Sequence, residues 1–155
     1  MRAVLCWIVV AVGLAVPACA SAYTREDTHQ LSFAWPALGT VTSPFGRDGA
    51  RWHPGLDIGT LSSLTVRAAA AGRVVGEGYM PGYDGYGNVV LVNLGDRYSA
   101  LYAHLARPLV RMGEELSAGQ LIGVAGCTGW CTGTHLHFEL RYRSRAVDPT
   151  LLFAR

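Results

Sequence analysis

Residues 135–140 read His-Leu-His-Phe-Glu-Leu, so polar and apolar side chains alternate strictly. This period of two is the pattern of a β-strand with one face packed in a core. The histidines His135 and His137 then share the opposite face. Neutral imidazole is a common zinc ligand, so the strand predicts part of a metal site. Glu139 lies on the same face, where it either orients a ligand from behind or forms a surface salt bridge.

The rest of the chain also favours strands over helices. It has 155 residues, 19 of them glycine, and its short runs rich in Val, Thr and Tyr are separated by turn residues. We therefore predict an all-β fold. The predicted strands span residues 34–43, 64–67, 72–77, 89–93, 98–105, 110–113 and 120–124.

The first 22 residues have the composition of a signal peptide: Arg2, then an apolar run over residues 3–16, then small residues. We predict a short linker over residues 23–33 and the functional domain over residues 34–155. An uncleaved membrane anchor and lipidation at Cys19 are the alternatives. Each of the three places the domain outside the cytoplasm, so we expect a secreted, periplasmic or cell-wall protein without a stable membrane span in the mature chain.

Outside this segment the chain has two cysteines, Cys127 and Cys131, in a glycine-rich stretch. In an oxidising compartment two cysteines at this spacing favour a disulfide. The alternative is that both are zinc ligands beside the two histidines. The charge pattern gives no sign of a nucleic-acid partner, because all 13 basic residues are scattered arginines and the formal net charge is only +2.

Two upstream segments offer further residues of the metal-binding type. His53 and Asp57 are four residues apart, but Pro54 and Gly55 between them make a loop running into a strand the better prediction than a helix. A surface ion pair would be the ordinary explanation of His53 and Asp57. For His104 we predict a strand in which Leu101, Ala103 and Leu105 pack inward, while His104 and Tyr102 share the polar face. His29, in the linker, is assigned no role.

Together these motifs resemble the signature blocks of lysostaphin-type zinc endopeptidases, the LytM-domain peptidoglycan hydrolases. The resemblance runs in order from about residue 35 to residue 149. It implies a compact and mostly antiparallel β-sheet domain with a groove across one sheet that holds the zinc site. One Zn²⁺ per chain would be held there by His53, Asp57 and His137. The matching blocks are His53-x-x-x-Asp57, Gly85-Tyr86-Gly87-Asn88, Leu101-Tyr102-Ala103-His104-Leu105 and His135-Leu136-His137-Phe138-Glu139.

The resemblance further implies that His104 and His135 are the two catalytic histidines that do not bind metal. As a hypothesis, one accepts a proton from the attacking water while the other hydrogen-bonds the developing oxyanion. The substrate would be the peptide part of bacterial peptidoglycan, with glycyl cross-bridges and D-amino-acid cross-links both open as the cleaved bond. Our candidates for substrate contacts are Tyr86, Asn88 and Tyr102.

The chain departs from the family pattern where Cys127 and Cys131 replace serine-type residues, which supports a disulfide variant of that loop.

Two other functions compete with the enzyme. Some relatives have lost ligands and activate other wall hydrolases without catalysing a reaction, but here all five site positions are filled. A secreted sugar- or peptide-binding β domain is the other alternative, and it leaves the cluster of four histidines unexplained. A regulatory partner is left open.

Overall fold

The computed structural model describes residues 32–48 and 51–153, and in this part of the chain it contains twelve strands and one short α-helix. The predicted signal peptide and nearly all of the predicted linker lie outside the described residues, so these two predictions stay predictions. The elements are β1 Thr40–Ser43, β2 Gly46–Asp48, β3 Arg51–His53, β4 Leu56–Gly59, β5 Thr65–Arg67, β6 Gly72–Tyr79, β7 Asn88–Gly95, β8 Tyr98–Pro108, β9 Glu115–Leu116, β10 Leu121–Ala125, β11 Leu136–Tyr142, β12 Arg145–Val147 and α1 Thr150–Phe153.

Ten of these strands form one sheet with the order β1-β4-β11-β8-β7-β6-β9, in which β12 also pairs with β11 and β10 joins the end of β8 to β5. The strands β2 and β3 form a separate hairpin. Every strand pair in the described residues is antiparallel. The predicted all-β, mostly antiparallel fold is therefore confirmed. Among the described residues, no helix has the length and apolar character needed to cross a membrane.

The main core lies on one face of the sheet and is built largely from alternate residues of the paired strands. On β11 these are Leu136, Phe138 and Leu140, and on β4 they include Ile58, all fully buried in one cluster. Alternation along β11 therefore has the predicted result. Its apolar residues anchor the strand in the core, while His137 and Glu139 are directed to the other face.

On that other face a small cluster of Val89, Leu101 and Ala103 packs against Met80 and the tyrosines of the loop between β6 and β7. The predicted facing of β8 was wrong for three of its residues. Leu101 and Ala103 lie on the site side of the sheet, whereas Tyr102 lies in the main core with Leu105. Tyr102 and His104 lie on opposite faces of the sheet because β8 contains a bulge.

The bulge is visible in the pairing of β7 with β8. Asn88 pairs with Leu105, but Val90 pairs with Tyr102, so one residue of β7 faces two residues of β8. His104 is one of these two and has a backbone φ of +59°. Such a φ is uncommon for a residue with a side chain, and a bulge re-aims the side chains of a strand. Here it brings His104 to the same face as His137.

Two predicted strands differ from the structure. The first ordered strand begins at Thr40 rather than at residue 34, and Pro36 cannot donate a hydrogen bond to a sheet. Residues 110–113 are not a strand, because the chain turns at Gly113 with a φ of +90°, and the short β9 follows at Glu115–Leu116.

Candidate metal centre and active site

Three strands bring the predicted metal ligands together. His53 ends β3, Asp57 lies in β4 and His137 lies in β11. β4 and β11 are neighbours, and their register places Asp57 directly opposite His137. The apolar neighbours Leu56 and Ile58 are fully buried, which directs Asp57 to the opposite face. Two ligands thus come from adjacent positions of one sheet, and the hairpin β2–β3 supplies the third.

The three side chains meet through one atom each. His137 Nδ1 lies 2.7 Å from Asp57 Oδ1, His53 Nε2 lies 3.2 Å from the same oxygen, and the two ring nitrogens are 3.1 Å apart. Ligands of a tetrahedral zinc ion at about 2.0–2.1 Å would lie roughly 3.3 Å from one another. The spacing of the donor atoms therefore fits an ion of this kind.

In His53 and in His137, the ring nitrogen that points away from Asp57, called the outer nitrogen, forms a hydrogen bond of its own. His53 Nδ1 donates to the carbonyl of Pro44 at 2.8 Å, and His137 Nε2 donates to Glu139 Oε1 at 3.0 Å. A neutral imidazole has a single N–H, so these bonds leave a lone pair on each inner nitrogen. Two lone pairs and a carboxylate oxygen are directed at one point, which is a donor set for a cation.

The acid–base properties of the cluster agree with this conclusion. Hydrogen bonding to Asp57 raises the pKa of His53 above 6.5, although burial opposes it. Burial would lower the pKa of His137, but the hydrogen bonds to Asp57 and Glu139 outweigh it and raise that pKa. Burial would raise the pKa of Asp57, yet its bonds with both histidines hold the pKa well below its ordinary value. The point between the three side chains thus favours positive charge, carried either by protons on the inner ring nitrogens or by a cation that takes their place, and these residues fit a zinc ion.

Gly55 allows the ligands to approach so closely. A Cβ on Gly55 would lie 2.5 Å from the carbonyl oxygen of Phe138 and 3.0 Å from the ring of His137. A larger residue would therefore displace either the start of β4 or the His137 ring. The glycine between the first two ligands is required by packing against the strand that carries the third.

Behind His137 lies a buried charge network. Glu139 is only 1% exposed, and its Oε1 accepts hydrogen bonds from His137 and from the Tyr86 hydroxyl, the latter at 2.7 Å. Its Oε2 accepts from Arg141 Nε at 2.6 Å, and Arg141 also donates to the Tyr83 hydroxyl. Glu139 therefore holds the His137 ring from behind, and the alternative of a surface salt bridge is excluded by its burial.

These contacts also keep Glu139 ionised. Burial would raise its pKa, but hydrogen bonds from His137, Tyr86 and Arg141 outweigh burial and lower the pKa. Burial and the bond to Glu139 raise the pKa of Tyr86 to about 12, so Tyr86 remains a hydrogen-bond donor at neutral pH. A charged Glu139 makes the His137 ring a better electron donor to a cation.

His104 and His135 lie beside the ligands. Their ring centroids are 4.7 Å apart, and His135 Nε2 is 3.7 Å from Asp57 Oδ1. His104 is 8% exposed, and burial lowers its pKa, so that the ring is neutral at pH 7. Each ring uses Nδ1 to donate to a backbone carbonyl at 2.8 Å, His104 to Thr128 and His135 to Gly133. The Nε2 atoms are the nitrogens left for the groove.

The two cysteines are joined in a disulfide with a Cα–Cα distance of 5.3 Å. The bond closes a loop that borders the histidines. Sulfur atoms in a disulfide do not bind zinc as thiolates do. Within the described residues, the group of side chains that could hold a metal ion consists of His53, Asp57 and His137 and includes neither cysteine.

All four site histidines and Asp57 line a single open groove of about 610 Å³. Two exposed tryptophans, Trp52 and Trp130, line it as well. A sequence model of the family described as "Peptidase family M23" matches residues 51–149, which contain every one of these site residues. The chain belongs to peptidase family M23. The resemblance inferred from the motifs is confirmed.

Several named proteins and solved structures are similar to this M23 domain. The murein hydrolase activator NlpD of Escherichia coli K12 is 38% identical over 118 residues, which cover 76% of this chain but only 30% of NlpD. A zinc-containing peptidase from Vibrio cholerae has a TM-score of 0.69 at 31% identity, over 80% of this chain and 40% of that one. The antimicrobial peptidase lysostaphin of Staphylococcus simulans has a TM-score of 0.64 at 28% identity, covering 76% of this chain and 52% of that one.

The predicted substrate residues of the M23 domain have three different surroundings. Tyr86 lines the groove, so its contact with substrate stays a prediction. Asn88 is not among the lining residues; its side-chain amide donates to the Ala106 carbonyl and its backbone N–H to Thr128 Oγ1. Tyr102 is 0% exposed, and its hydroxyl accepts from the Ala69 N–H in the core. The prediction that Tyr102 contacts substrate was wrong, because the bulge separates it from His104.

Sequence reasoning missed four groups of the M23 site. Arg141 continues the alternation of His135, His137 and Glu139, so the strand pattern contained a signal for it. Trp52 and Trp130 gave a weaker signal as large aromatic residues in polar, glycine-rich surroundings. The backbone carbonyls that hold the histidine rings gave none, because every residue type has a carbonyl group.

Proposed function

We propose that this chain is a zinc-dependent endopeptidase that hydrolyses peptide bonds in bacterial peptidoglycan. The observation that carries the proposal is the convergence of His53, Asp57 and His137 on one point, with His104 and His135 beside them in the same groove. Catalytic zinc sites use three protein ligands and leave a position open. When bound, zinc supplies a Lewis acid that polarises a carbonyl group and makes water a nucleophile near neutral pH.

The remaining chemistry belongs to His104 and His135. With Nδ1 bound to a carbonyl, a neutral ring offers Nε2 as a proton acceptor, and a protonated ring offers it as a donor. One histidine accepts the proton of the attacking water, and the other donates a hydrogen bond to the oxygen of the scissile carbonyl. Both Nε2 atoms belong to rings that line the groove next to Asp57, which allows the two roles to operate on one peptide bond.

The shape of the groove supports a peptide substrate. Its volume of about 610 Å³ is in the range of sites that hold a small molecule or a short peptide segment, and it is open to solvent. Trp52 and Trp130 are 57% and 82% exposed, so they provide apolar surfaces without being part of a core. The names of the relatives, a murein hydrolase activator and an antimicrobial peptidase, support the bacterial wall as the source of the peptide.

The same comparisons support a place in the cell envelope. Relatives at 38% identity are named an outer membrane antigenic lipoprotein B and a lipoprotein homologue. A disulfide also belongs to an oxidising compartment. We propose a secreted or periplasmic protein; the predicted signal peptide and the alternative lipid anchor at Cys19 are both consistent with this placement.

A second function is favoured by one observation, the name of NlpD, which is an activator of murein hydrolases. An activator needs a surface that binds another hydrolase and does not need a complete metal site. The complete donor set and the tautomers of the ligand histidines support the enzyme instead.

The test uses the chain from residue 23 onward, with its zinc content and its action on purified peptidoglycan measured in parallel. We expect about one zinc per chain and new peptide amino termini released from the wall material, with no release after chelation and recovery when zinc is returned. The matched control is Asp57→Ala. A chain that binds no zinc and releases no peptide amino termini, yet increases the rate of an added murein hydrolase, would establish the activator function instead of the endopeptidase.

A further inference from the structure

The disulfide-closed segment and the two residues that follow it border both proposed catalytic histidines, and their backbone carbonyls accept hydrogen bonds from the two rings. We call residues 127–133 the disulfide loop. His104 Nδ1 donates to the Thr128 carbonyl and His135 Nδ1 to the Gly133 carbonyl, each at 2.8 Å. A carbonyl oxygen only accepts, so the hydrogen of a neutral ring must lie on Nδ1. The disulfide loop thus selects the tautomer in which Nε2 is free to accept a proton.

The Thr128 carbonyl is fixed by contacts that do not involve the disulfide. The Thr128 hydroxyl donates to the Leu105 carbonyl at 2.8 Å and accepts from the Asn88 N–H at 2.9 Å. The backbones of Gly87 and Gly129 touch so closely that a Cβ on Gly87 would lie 2.6 Å from the Gly129 nitrogen. This half of the loop is therefore attached to the segment before β7, whatever the state of the cysteines.

The Gly133 carbonyl is held differently. Its two contacts given by the hydrogen-bonding geometry are the His135 ring and the sulfur of Cys131, which lies 2.9 Å from the carbonyl oxygen and 3.8 Å from His135 Nδ1. As part of the disulfide this sulfur has no hydrogen to donate, so it restrains the carbonyl by close packing alone. Residues 132–134 are exposed, and a Cβ on Gly133 would meet open space. A glycine in an exposed segment is free to rotate its peptide unless a neighbour restrains it. The backbone bond from the His135 N–H to the Gly126 carbonyl fixes the chain two residues further on, and the neighbour of the Gly133 peptide itself is the Cys131 sulfur.

From this asymmetry we infer that the Cys127–Cys131 disulfide is a positioning device for His135: it holds the Gly133 carbonyl against the ring and so keeps Nε2 of His135 directed at the reacting bond. His104 does not depend on the disulfide, because Thr128 is fixed through Leu105 and Asn88. The inference deepens the proposed endopeptidase and rests on it only for the consequence in turnover. The state of the two rings can be measured without any substrate.

The experiment compares the wild-type chain with the double variant Cys127→Ser/Cys131→Ser. With ¹⁵N-labelled histidine, couplings across each ring show which nitrogen carries the hydrogen; the spectra are recorded at pH 8, where an ordinary imidazole is neutral. His104→Gln and His135→Gln variants assign the signals. We expect Nδ1–H on both rings in the wild type. In the double variant we expect His104 to keep its hydrogen on Nδ1, whereas His135 becomes a mixture of the Nδ1–H and Nε2–H tautomers.

The second readout is turnover of soluble cross-linked peptidoglycan fragments. We expect the double variant to lose between about 10- and 100-fold in kcat with little change in KM, as for a reacting group displaced by about 1 Å, while zinc stays at one per chain. Wild-type protein treated with a phosphine reductant should reproduce the tautomer change if the double variant does not fold. In that reaction the phosphine is oxidised, and the disulfide takes up two electrons and two protons to give two thiols.

An unchanged His135 tautomer in both the double variant and the reduced wild type would overturn the inference. So would an equal change in His104, because the disulfide would then hold the whole loop rather than His135. If the wild type cleaves no fragment, the proposed endopeptidase fails, but the tautomer comparison still decides the role of the disulfide.

Discussion

His137 and His104 face the same groove, but the chain holds them in different ways. His137 lies in a regular stretch of β11, directly opposite Asp57, and its outer nitrogen donates to the buried carboxylate of Glu139. His104 lies at a bulge with a φ of +59°, and its outer nitrogen donates to a loop carbonyl. We call His53, Asp57 and His137 the metal half of the proposed site, and His104 and His135 its catalytic half. The metal half is thus built from strand register and charge, and the catalytic half from backbone irregularity and loop carbonyls.

The difference reflects what each half must do. A cation is held by charge and by lone pairs at fixed spacing, which paired strands provide with little freedom. A proton acceptor must stay neutral and accessible, so a carbonyl partner suits it better than a carboxylate, which would favour the charged ring. Substitutions in the two halves should therefore have different consequences, and the predictions below separate them.

The largest effect is expected in the metal half. His137→Ala or Asp57→Ala removes one of three donors, so we expect both zinc and peptidoglycan cleavage to be lost. Zinc content by mass spectrometry and release of peptide ends measure the two losses. Full zinc retention by both variants would show that other residues bind the metal.

In the catalytic half, His104→Ala should reduce turnover by about 10²–10⁴-fold, the usual contribution of a proton-transferring group, and keep one zinc per chain. His135→Ala should behave in the same way. A variant with a rate near that of wild type would remove that histidine from the proton transfer, and a variant without zinc would assign it to the metal half.

A smaller effect is expected behind the metal. Glu139→Gln keeps the shape of the side chain but removes the charge that His137 and Arg141 share, so zinc affinity should fall by about 10- to 100-fold. Competition with a chelator of known affinity measures it. The matched control is Glu115→Gln, because Glu115 forms an exposed ion pair with Arg73, far from His137 in the sheet order. Equal affinities in the two variants would contradict the orienting role of Glu139.

The smallest effect is expected for Tyr86→Phe, which removes the 2.7 Å hydrogen bond to Glu139 and leaves the ring in the groove. Glu139 keeps its bonds to His137 and Arg141, so we expect a change in zinc affinity of only a few-fold, in line with the roughly 1 kcal/mol of one hydrogen bond. A loss as large as that of Glu139→Gln would mean that Tyr86, rather than Arg141, fixes the carboxylate.

The same comparison shows what could be predicted from sequence. The all-β fold and the placement of Asp57 and His137 follow from period-two alternation, because residues on a paired strand keep the face that their position gives them. Tyr102 was predicted wrongly for the converse reason. One extra residue at the bulge reverses the alternation beyond it, and no residue type in Leu101-Tyr102-Ala103-His104-Leu105 marks that position.

The disulfide loop shows the same limit. The sequence allowed either a disulfide or two zinc ligands for Cys127 and Cys131, and its glycines indicated a close approach of backbones. The directions of the Thr128 and Gly133 carbonyl groups could not be predicted from the sequence, because they depend on the path of the loop backbone in the folded protein. The positions of the strand-borne residues of the proposed metal half are therefore predictable in this domain, whereas the groups that orient His104 and His135 are not.

The most direct test of the central claim is zinc X-ray absorption on the loaded chain from residue 23 onward. If His53, Asp57 and His137 hold the ion, the spectrum will show only nitrogen and oxygen neighbours at about 2.0–2.2 Å, with the outer-shell scattering of two imidazole rings. A sulfur neighbour at about 2.3 Å would contradict the account, since the cysteines would then be ligands instead of a disulfide. So would a spectrum with no imidazole scattering.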